Sequence, residues 1–175
     1  MKFINDLGKA IKNHATKNAL CINNTFYSYA DLALIITKIR LHIEKSIPES
    51  DKLIGLVTND DLETYASILA LWLEGKAFIP VNPETPIERN LQIFELTETK
   101  YILDSSNTTQ YPNHNIIYTI SNANPEINLK PKHVLGQDLA YILFTSGTTG
   151  SPKGVPITFD NVQALVSAIH AEPDF

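Results

Sequence analysis

The residues best placed to do chemistry lie in one short stretch, residues 145–154, with the sequence TSGTTGSPKG. Three of the chain's seven glycines fall between positions 147 and 154. Glycine allows positive φ and lets backbone N–H groups approach a ligand, and the Ser and Thr hydroxyls add hydrogen-bond donors. Lys153 adds a compact charge on a flexible side chain. This combination suits the oxygens of a phosphate chain whose negative charge grows during a reaction.

Residues 145–154 have two other interpretations, a plain surface connector and a Walker-type nucleotide-binding loop. A Gly, Ser and Thr cluster after an apolar run is often only a surface connector. A Walker-type loop would require Gly-x4-Gly-Lys-Ser/Thr, and this chain has Pro152 where the second glycine would stand. The sequence therefore excludes a P-loop NTPase of that kind and leaves a different phosphate-binding loop as the alternative to a plain connector.

The elements that position this stretch follow from apolar periodicity. Five helices are predicted. The first covers residues 3–16, and the second runs from an N-cap at Ser28 to about residue 45. The third follows Asp60 and Asp61, the fourth has an N-cap at Thr85 and Pro86 in its first turn, and the fifth follows an N-cap at Thr158. Strands are predicted at residues 19–22, 25–27, 52–57, 77–81, 101–103, 116–120, 140–144 and 155–157. Residues 121–137 are predicted to be a surface connector, and the Pro80, Pro83 and Pro86 series to set turns.

Alternation of strands and helices after residue 51 predicts an α/β fold, a parallel-rich doubly wound sheet with flanking helices. Phosphate sites in such sheets lie beyond the carboxyl ends of strands, which is where residue 145 falls if 140–144 is a strand. Apolar periodicity also predicts the buried face of each helix. For the third helix the face is Leu62, Tyr65, Ala66, Leu69 and Leu73, with Ile68 and Trp72 beside it. For the fourth it is Ile87, Leu91, Phe94 and the last apolar residues before Thr97, and for the fifth it is Val162, Leu165, Val166 and Ile169.

The composition argues against several classes of partner and site. The net charge of −5 and the two arginines, Arg40 and Arg89, argue against a nucleic-acid partner. No apolar run approaches the ~18 residues that span a bilayer, and no leader pattern begins the chain, so we expect a cytoplasmic protein without a membrane partner. The single cysteine, Cys21, excludes an internal disulfide and is predicted to be a buried, inert thiol. The five histidines lack metal-ligand spacing, so no metal site is predicted.

The string TSGTTGSPKG, framed by YILF and VPIT, resembles the phosphate-binding loop of adenylate-forming enzymes. These include acyl-CoA synthetases, luciferases and amino-acid adenylation domains. Residues 25–32 are similar to that family's opening Thr-Tyr-x-x-Leu segment, and residues 73–83, continuing through Pro86 and Arg89, resemble the Lys-Ala-Gly-x-x-Tyr-Val-Pro-Ile-Asp-Pro segment of amino-acid adenylation domains. Glu74 and Lys76 depart from that pattern at positions that are not catalytic. The resemblance runs from about residue 13 to the end of the chain.

The resemblance implies a reaction in two halves. A carboxylate attacks the α-phosphate of ATP to give an acyl-adenylate and pyrophosphate, and a thiol then takes the acyl group. It implies that Lys153 is catalytic and neutralises charge on the leaving pyrophosphate. The implied ATP phosphate-binding residues are Thr145, Ser146, Gly147, Thr148, Thr149, Gly150, Lys153 and Gly154.

The family's adenine segment, its Mg²⁺-binding glutamate, its ribose-binding aspartate and its C-terminal lysine would all lie beyond position 175. We therefore expect residues 1–175 to be the N-terminal portion of the large adenylate-forming domain, inactive alone, with an open strand edge that favours self-association. The type most resembled is the amino-acid adenylation domain or D-alanine:carrier-protein ligase, with a carrier protein or CoA as acceptor. The alternatives are an acyl-CoA synthetase on a fatty or aryl acid and a non-catalytic nucleotide- or anion-binding module.

Overall fold

The computed structural model describes residues 2–108, 111–146 and 152–171. The helices are α1 (Lys2–Asn13), α2 (Tyr29–Ser46), α3 (Leu62–Leu73), α4 (Ile87–Leu96) and α5 (Phe159–Ala171). The strands are β1 (Asn18–Ile22), β2 (Thr25–Ser28), β3 (Leu53–Val57), β4 (Ala77–Val81), β5 (Tyr101–Asp104), β6 (Asn115–Tyr118), β7 (Leu139–Ser146) and β8 (Pro152–Thr158). The predicted elements are therefore all found, with ends that shift by a few residues.

The main sheet is six-stranded, in the order β6-β5-β3-β4-β7-β8. Strands β3 to β7 pair in parallel, whereas β8 runs antiparallel to β7. The chain moves from β3 to β4 on one side and then to β5 on the other, which confirms the doubly wound, parallel-rich prediction. The antiparallel β8 makes the last two strands a hairpin, and that hairpin carries the candidate loop.

Helices cover both faces of this sheet. The first face packs against α2, α3 and α5 through residues such as Ile54, Leu103 and Ala140, and α1 packs on α2 in the same core. The second face packs against α4 through Ile79 and Ile102. A strand that is buried on both faces has no side that must be polar. Burial on both faces therefore explains why these strands are continuous apolar runs in the sequence.

The helix starts follow the sequence signals with one correction. Ser28 and Asp31 form a reciprocal capping box on α2, and Asp61 caps α3 by accepting the Thr64 N–H at 2.8 Å. The prediction that Thr85 caps α4 is wrong. Pro86 takes that position because its ψ of 134° keeps it extended, and it makes no side-chain cap hydrogen bond. Local proline geometry therefore moved the start by one residue.

Three predicted helix faces also need correction. In α4, Ile87 and Leu96 are 39% and 62% exposed, and the buried positions are Asn90, Ile93 and Phe94. In α3, Tyr65 is exposed, and the buried positions include Ser67, Ala70 and Leu71. Leu62, Ala66 and Leu73 of the predicted face are buried, and because α3 packs against both α2 and the sheet, it buries a wider arc than periodicity indicated. In α5, Phe159 and Val162 are buried as the first turn meets the sheet. The predicted core residues Leu165 and Ile169 are 59% and 44% exposed.

Two single-residue predictions are wrong for topological reasons. Cys21 is exposed because β1 and β2 form a separate two-stranded ribbon with only one packed side, and Cys21 lies opposite Phe26, which is itself 65% exposed. Pro80 lies inside β4 rather than in a turn. It has no N–H to donate, and the assigned pairing of β4 with β7 consists of Phe78 opposite Tyr141.

The long segment between β6 and β7 has no helix or strand, as predicted, but it is anchored by buried charges. The side chains of Arg40 and Glu74 are 5% and 0% exposed, and Arg40 Nε donates to Glu74 Oε1 at 2.6 Å. Lys132 Nζ lies 2.7 Å from Glu74 Oε2, and Arg40 Nη1 donates to the Asn128 carbonyl at 2.9 Å. The carboxylate of Glu74 raises the pKa of Lys132 through this hydrogen bond. These groups fasten the segment onto α2 and the end of α3.

A second buried charge lies close by. Lys76 Nζ donates to the carbonyls of Pro48 and Asp51 at 2.9 and 2.7 Å. Burial, assisted by repulsion from Lys52 and Lys132, lowers the pKa of Lys76. The two departures from the family pattern, Glu74 and Lys76, are thus structural positions that hold connecting segments in place.

We expect Glu74→Ala to lower the free energy of unfolding by about 3–5 kcal/mol, because it leaves the buried Arg40 guanidinium without its carboxylate. Urea unfolding measures the change. Glu95→Ala, which removes an exposed helical carboxylate, is the matched control and should stay within about 0.5 kcal/mol of the unchanged chain. Equal effects of the two substitutions would show that the buried charges do not anchor the fold.

Candidate phosphate-binding site

The candidate site lies at the edge where the parallel strands end. Tyr141 of β7 lies opposite Phe78 of β4, and β7 continues five residues further, to Ser146, whereas β4 continues only three, to Val81. The end of β7 therefore projects beyond the carboxyl edge of the sheet. This is the side on which open parallel sheets bind phosphate groups, as the sequence predicted.

Aromatic side chains hold β7 in this position. The ring of Tyr141 stacks on Phe78 with centroids 5.4 Å apart, and Trp72 Nε1 donates to the Ala140 carbonyl at 3.0 Å. Trp72 also meets Phe159 edge to face, with centroids 6.0 Å apart. These contacts tie β7 to both α3 and α5 where the β4–β7 backbone pairing is sparse.

The hairpin places two of the predicted phosphate-binding residues opposite each other. Thr145 of β7 pairs with Lys153 of β8, and both residues are exposed. Paired residues in adjacent strands project from the same face, so the Thr145 hydroxyl and the Lys153 ammonium share one face. The Lys153 ammonium makes no hydrogen bond or ion pair with any residue of the described part of the chain. A hydroxyl donor and an unengaged cation on one face can together bind an anion.

The remaining predicted residues divide into two groups. Ser146 ends β7 opposite Pro152, and Gly154 lies in β8 opposite Phe144, so the strands continue into the stretch predicted as one loop over residues 145–154. β8 is correspondingly longer than the predicted strand at 155–157, because the antiparallel pairing extends to Pro152. Gly147, Thr148, Thr149 and Gly150 lie outside the described residues.

A polar network at the ends of β3 and β5 was missed by sequence reasoning. Asn59 Nδ2 donates to Asp104 Oδ1 at 2.8 Å and to Ser105 Oγ at 2.7 Å, and Ser105 Oγ donates to Asp61 at 2.5 Å. Its only sequence signal is that polar residues follow each strand directly. Because these hydrogen bonds run between members of the network, it rigidifies the carboxyl edge on which the hairpin is built.

Capping fixes the far end of β8. Asn161 N donates to Thr158 Oγ1 at 3.3 Å, and Thr158 N donates to Asn161 Oδ1 at 3.0 Å, which confirms Thr158 as the N-cap of α5. The hairpin is therefore held at its base by α5, while the opposite ends of β7 and β8 carry Thr145 and Lys153.

Comparison with known proteins matches residues 7–175 to the AMP-binding enzyme family model. The chain belongs to this family of AMP-binding enzymes. Among its relatives, the D-alanine--D-alanyl carrier protein ligase of Lacticaseibacillus paracasei is 30% identical over 172 residues, which cover 94% of this chain and 33% of the relative. Nonribosomal peptide synthetase 2 of Gibberella zeae is 28% identical over 178 residues, which cover 92% of this chain and 4% of the relative.

Solved structures confirm the AMP-binding fold. The nonribosomal peptide synthetase FmoA3 bound to α-methyl-L-serine-AMP has a TM-score of 0.79 at 19% identity, covering 97% of this chain and 19% of that one. The fatty acyl-adenylate ligase from L. pneumophila, in complex with acyl adenylate and pyrophosphate, has a TM-score of 0.78 at 18% identity, covering 96% of this chain and 32% of that one. This AMP-binding chain thus spans about a third of the D-alanine ligase it matches.

Within residues 2–108, 111–146 and 152–171, no three His, Cys, Asp or Glu side chains are grouped so as to hold a metal ion. None of the described helices is both long and apolar enough to cross a membrane.

Proposed function

We propose that this AMP-binding chain supplies the phosphate-binding part of an adenylate-forming ligase that activates a small carboxylic acid with ATP. The observation that carries the proposal is the pair formed by Thr145 and Lys153, both exposed, at the carboxyl edge of the parallel sheet. Membership of the AMP-binding enzyme family supports it.

In this reaction the site would position the phosphates and stabilise their charge, without forming a covalent bond to them. A carboxylate oxygen attacks the α-phosphorus of ATP, the bond to the bridging oxygen breaks, and pyrophosphate leaves with the electron pair. Lys153 would hold the departing phosphates, and its charge stabilises them most when their own charge is greatest. The hydroxyls and backbone amides of residues 145–150 would orient the same phosphates. Mg²⁺ is the expected companion ion, with its protein ligand outside this chain.

We further propose that the substrate is an amino acid and that the acceptor is a carrier-protein thiol. The support is the 30% identity to a D-alanyl carrier protein ligase over nearly the whole chain, together with several peptide synthetases among the relatives. A CoA acceptor on a fatty or aryl acid is the competing assignment. Residues of the acyl pocket would separate the two, and the proposed phosphate site serves either equally well.

The exposed apolar residues support a further part of the proposal, that residues 1–175 are one portion of a larger adenylation domain and do not complete the reaction alone. Leu165 and Ile169 lie one helical turn apart on α5, and Leu143 pairs with Val155 on the hairpin. All four are 44–59% exposed. Such residues on the last helix and the edge strand suit contact with more of the domain.

We expect the chain to bind pyrophosphate, and Lys153→Ala to weaken that binding by about tenfold or more because a charge-assisted contact is lost. Isothermal titration calorimetry measures the dissociation constants. Lys130→Ala, which removes an exposed lysine from the segment between β6 and β7, is the matched control and should bind as the unchanged chain does. In an enzyme completed with the rest of its domain, Lys153→Ala should slow ATP–pyrophosphate exchange by ~100-fold. Exchange within about threefold of the unchanged rate, far below what such a stabiliser contributes, would contradict the catalytic role.

We expect no amino-acid-dependent ATP–pyrophosphate exchange from residues 1–175 alone, because the groups for adenine, ribose and Mg²⁺ are expected elsewhere. The assay is exchange of labelled pyrophosphate into ATP across a panel of amino acids. A substrate-dependent rate above the no-enzyme background would show that the chain is catalytically sufficient. Pyrophosphate binding measured on the same chain shows whether a lack of exchange reflects catalytic groups missing elsewhere or a failure of the phosphate site itself.

We expect the isolated chain to self-associate through its exposed apolar residues and the edge strand β8. Multi-angle light scattering measures the mass in solution. Leu165→Lys combined with Ile169→Lys should shift the population toward monomer, whereas Phe26→Lys, which changes an exposed apolar residue on the separate β1–β2 ribbon, should not. A clean monomer before any substitution would contradict the expectation.

A further inference from the structure

The hairpin contains one unusually close side-chain fit, between Phe144 and Gly154. These residues lie opposite each other in β7 and β8. A Cβ placed on Gly154 would lie 3.0 Å from Phe144 Cζ and 3.1 Å from Ile142 Cγ2. The Phe144 ring therefore crowds the space that a side chain at position 154 would need, and a Cβ there would require the ring to give way by a few tenths of an ångström.

The backbone alone specifies the register of this hairpin weakly. Pro152 and Pro156 both lie in β8, opposite Ser146 and Ile142, and a proline has no N–H to donate to the ladder. The pairing also shifts between Leu139 and Tyr141. The register at the base of the hairpin therefore does not by itself fix the register of the residues further along. β8 is the last strand of the sheet in the described part of the chain, and β7 is its only neighbour there.

Register matters here because side chains alternate between the two faces of a strand. Lys153 shares a face with Thr145, while Gly154 and Phe144 occupy the opposite face. A slip of one residue in β8 would move Lys153 to the face away from Thr145. The hydroxyl and the ammonium would then no longer converge on one anion.

We propose that Phe144 and Gly154 are positioning residues for the phosphate site: the ring of one and the missing side chain of the other fix the register that holds Lys153 opposite Thr145. This inference rests on the proposed role of Lys153 in binding phosphate. Gly154, which the family resemblance counts among the phosphate-binding residues, is thereby given a positioning role. The effect of both residues is exerted through the pairing of the two strands.

The test uses Gly154→Val, Phe144→Ala and the double variant, with Val155→Ala as the control. Valine is favoured in strands over glycine, so strand propensity alone predicts a more stable hairpin from Gly154→Val. The proposed fit predicts the opposite, since the valine methyl groups would enter the space of the Phe144 ring. The double variant exchanges the large and small partners and should restore the fit. Val155 projects from the other face, opposite Leu143, and its truncation should change nothing.

Two measurements are made on each variant: amide hydrogen exchange of β7 and β8 without ligand, detected by NMR, and the dissociation constant for pyrophosphate. We expect each single variant to exchange faster across both strands and to bind about tenfold or more weakly, the effect of losing one charge-assisted contact. The double variant should recover both properties. Hydrogen exchange as slow in Gly154→Val as in the unchanged chain, or no recovery in the double variant, would overturn the inference. Absence of pyrophosphate binding by the unchanged chain would count against the proposed function alone, because hydrogen exchange still decides whether the register depends on this fit.

Discussion

Parallel pairing of strands that are buried on both faces is the constraint on which the rest of this structure depends. Because β3, β4 and β5 run in one direction, their carboxyl ends lie at one edge, and the polar residues that follow them meet there. The network of Asn59, Asp104 and Ser105 gives this edge a fixed shape. β7 joins the same sheet in the same direction, so its far end is delivered to that edge and not to the opposite one.

The way β7 joins the sheet explains several otherwise unrelated residues. Pro80 leaves β4 with one fewer N–H, and the strand contact is supplemented by the stacking of Tyr141 on Phe78 and by the hydrogen bond from Trp72 to the Ala140 carbonyl. Upstream, the segment that leads into β7 is held by Glu74, which Arg40 and Lys132 neutralise. Desolvating the charges of Arg40 and Glu74 is costly, so the contribution of these two side chains depends on their remaining paired. The placement of the candidate site thus depends on contacts distant from it.

The geometry also changes how the candidate loop should be pictured. A sequence rich in glycine and hydroxyl residues suggests one flexible stretch, but its two ends are strands in register. Thr145 and Lys153 lie opposite each other because their strands pair, and not because of their spacing along the chain. Strand pairing limits the motion of both backbones, so less conformational freedom remains to be lost when an anion binds. The family resemblance indicates which residues bind phosphate, and the hairpin explains how two of them are brought together.

Local signals in the sequence were sufficient for much of the fold. The two strands of the β1–β2 ribbon, the N-cap at Ser28 and the apolar run of β4 each depend on a few adjacent residues, and each was predicted correctly. The family could be named from residues 145–154 because that string is specific in its order.

Tertiary structure alone decided the rest. The exposure of Leu165, the burial of Glu74 with Arg40, and the antiparallel direction of β8 all depend on which distant segments come together. By itself, the sequence determined the elements and the chemical groups that could bind phosphate. Only the packed structure decided which faces are covered and which side chains meet, because these outcomes are set by contacts between residues far apart in the chain, which local periodicity does not encode.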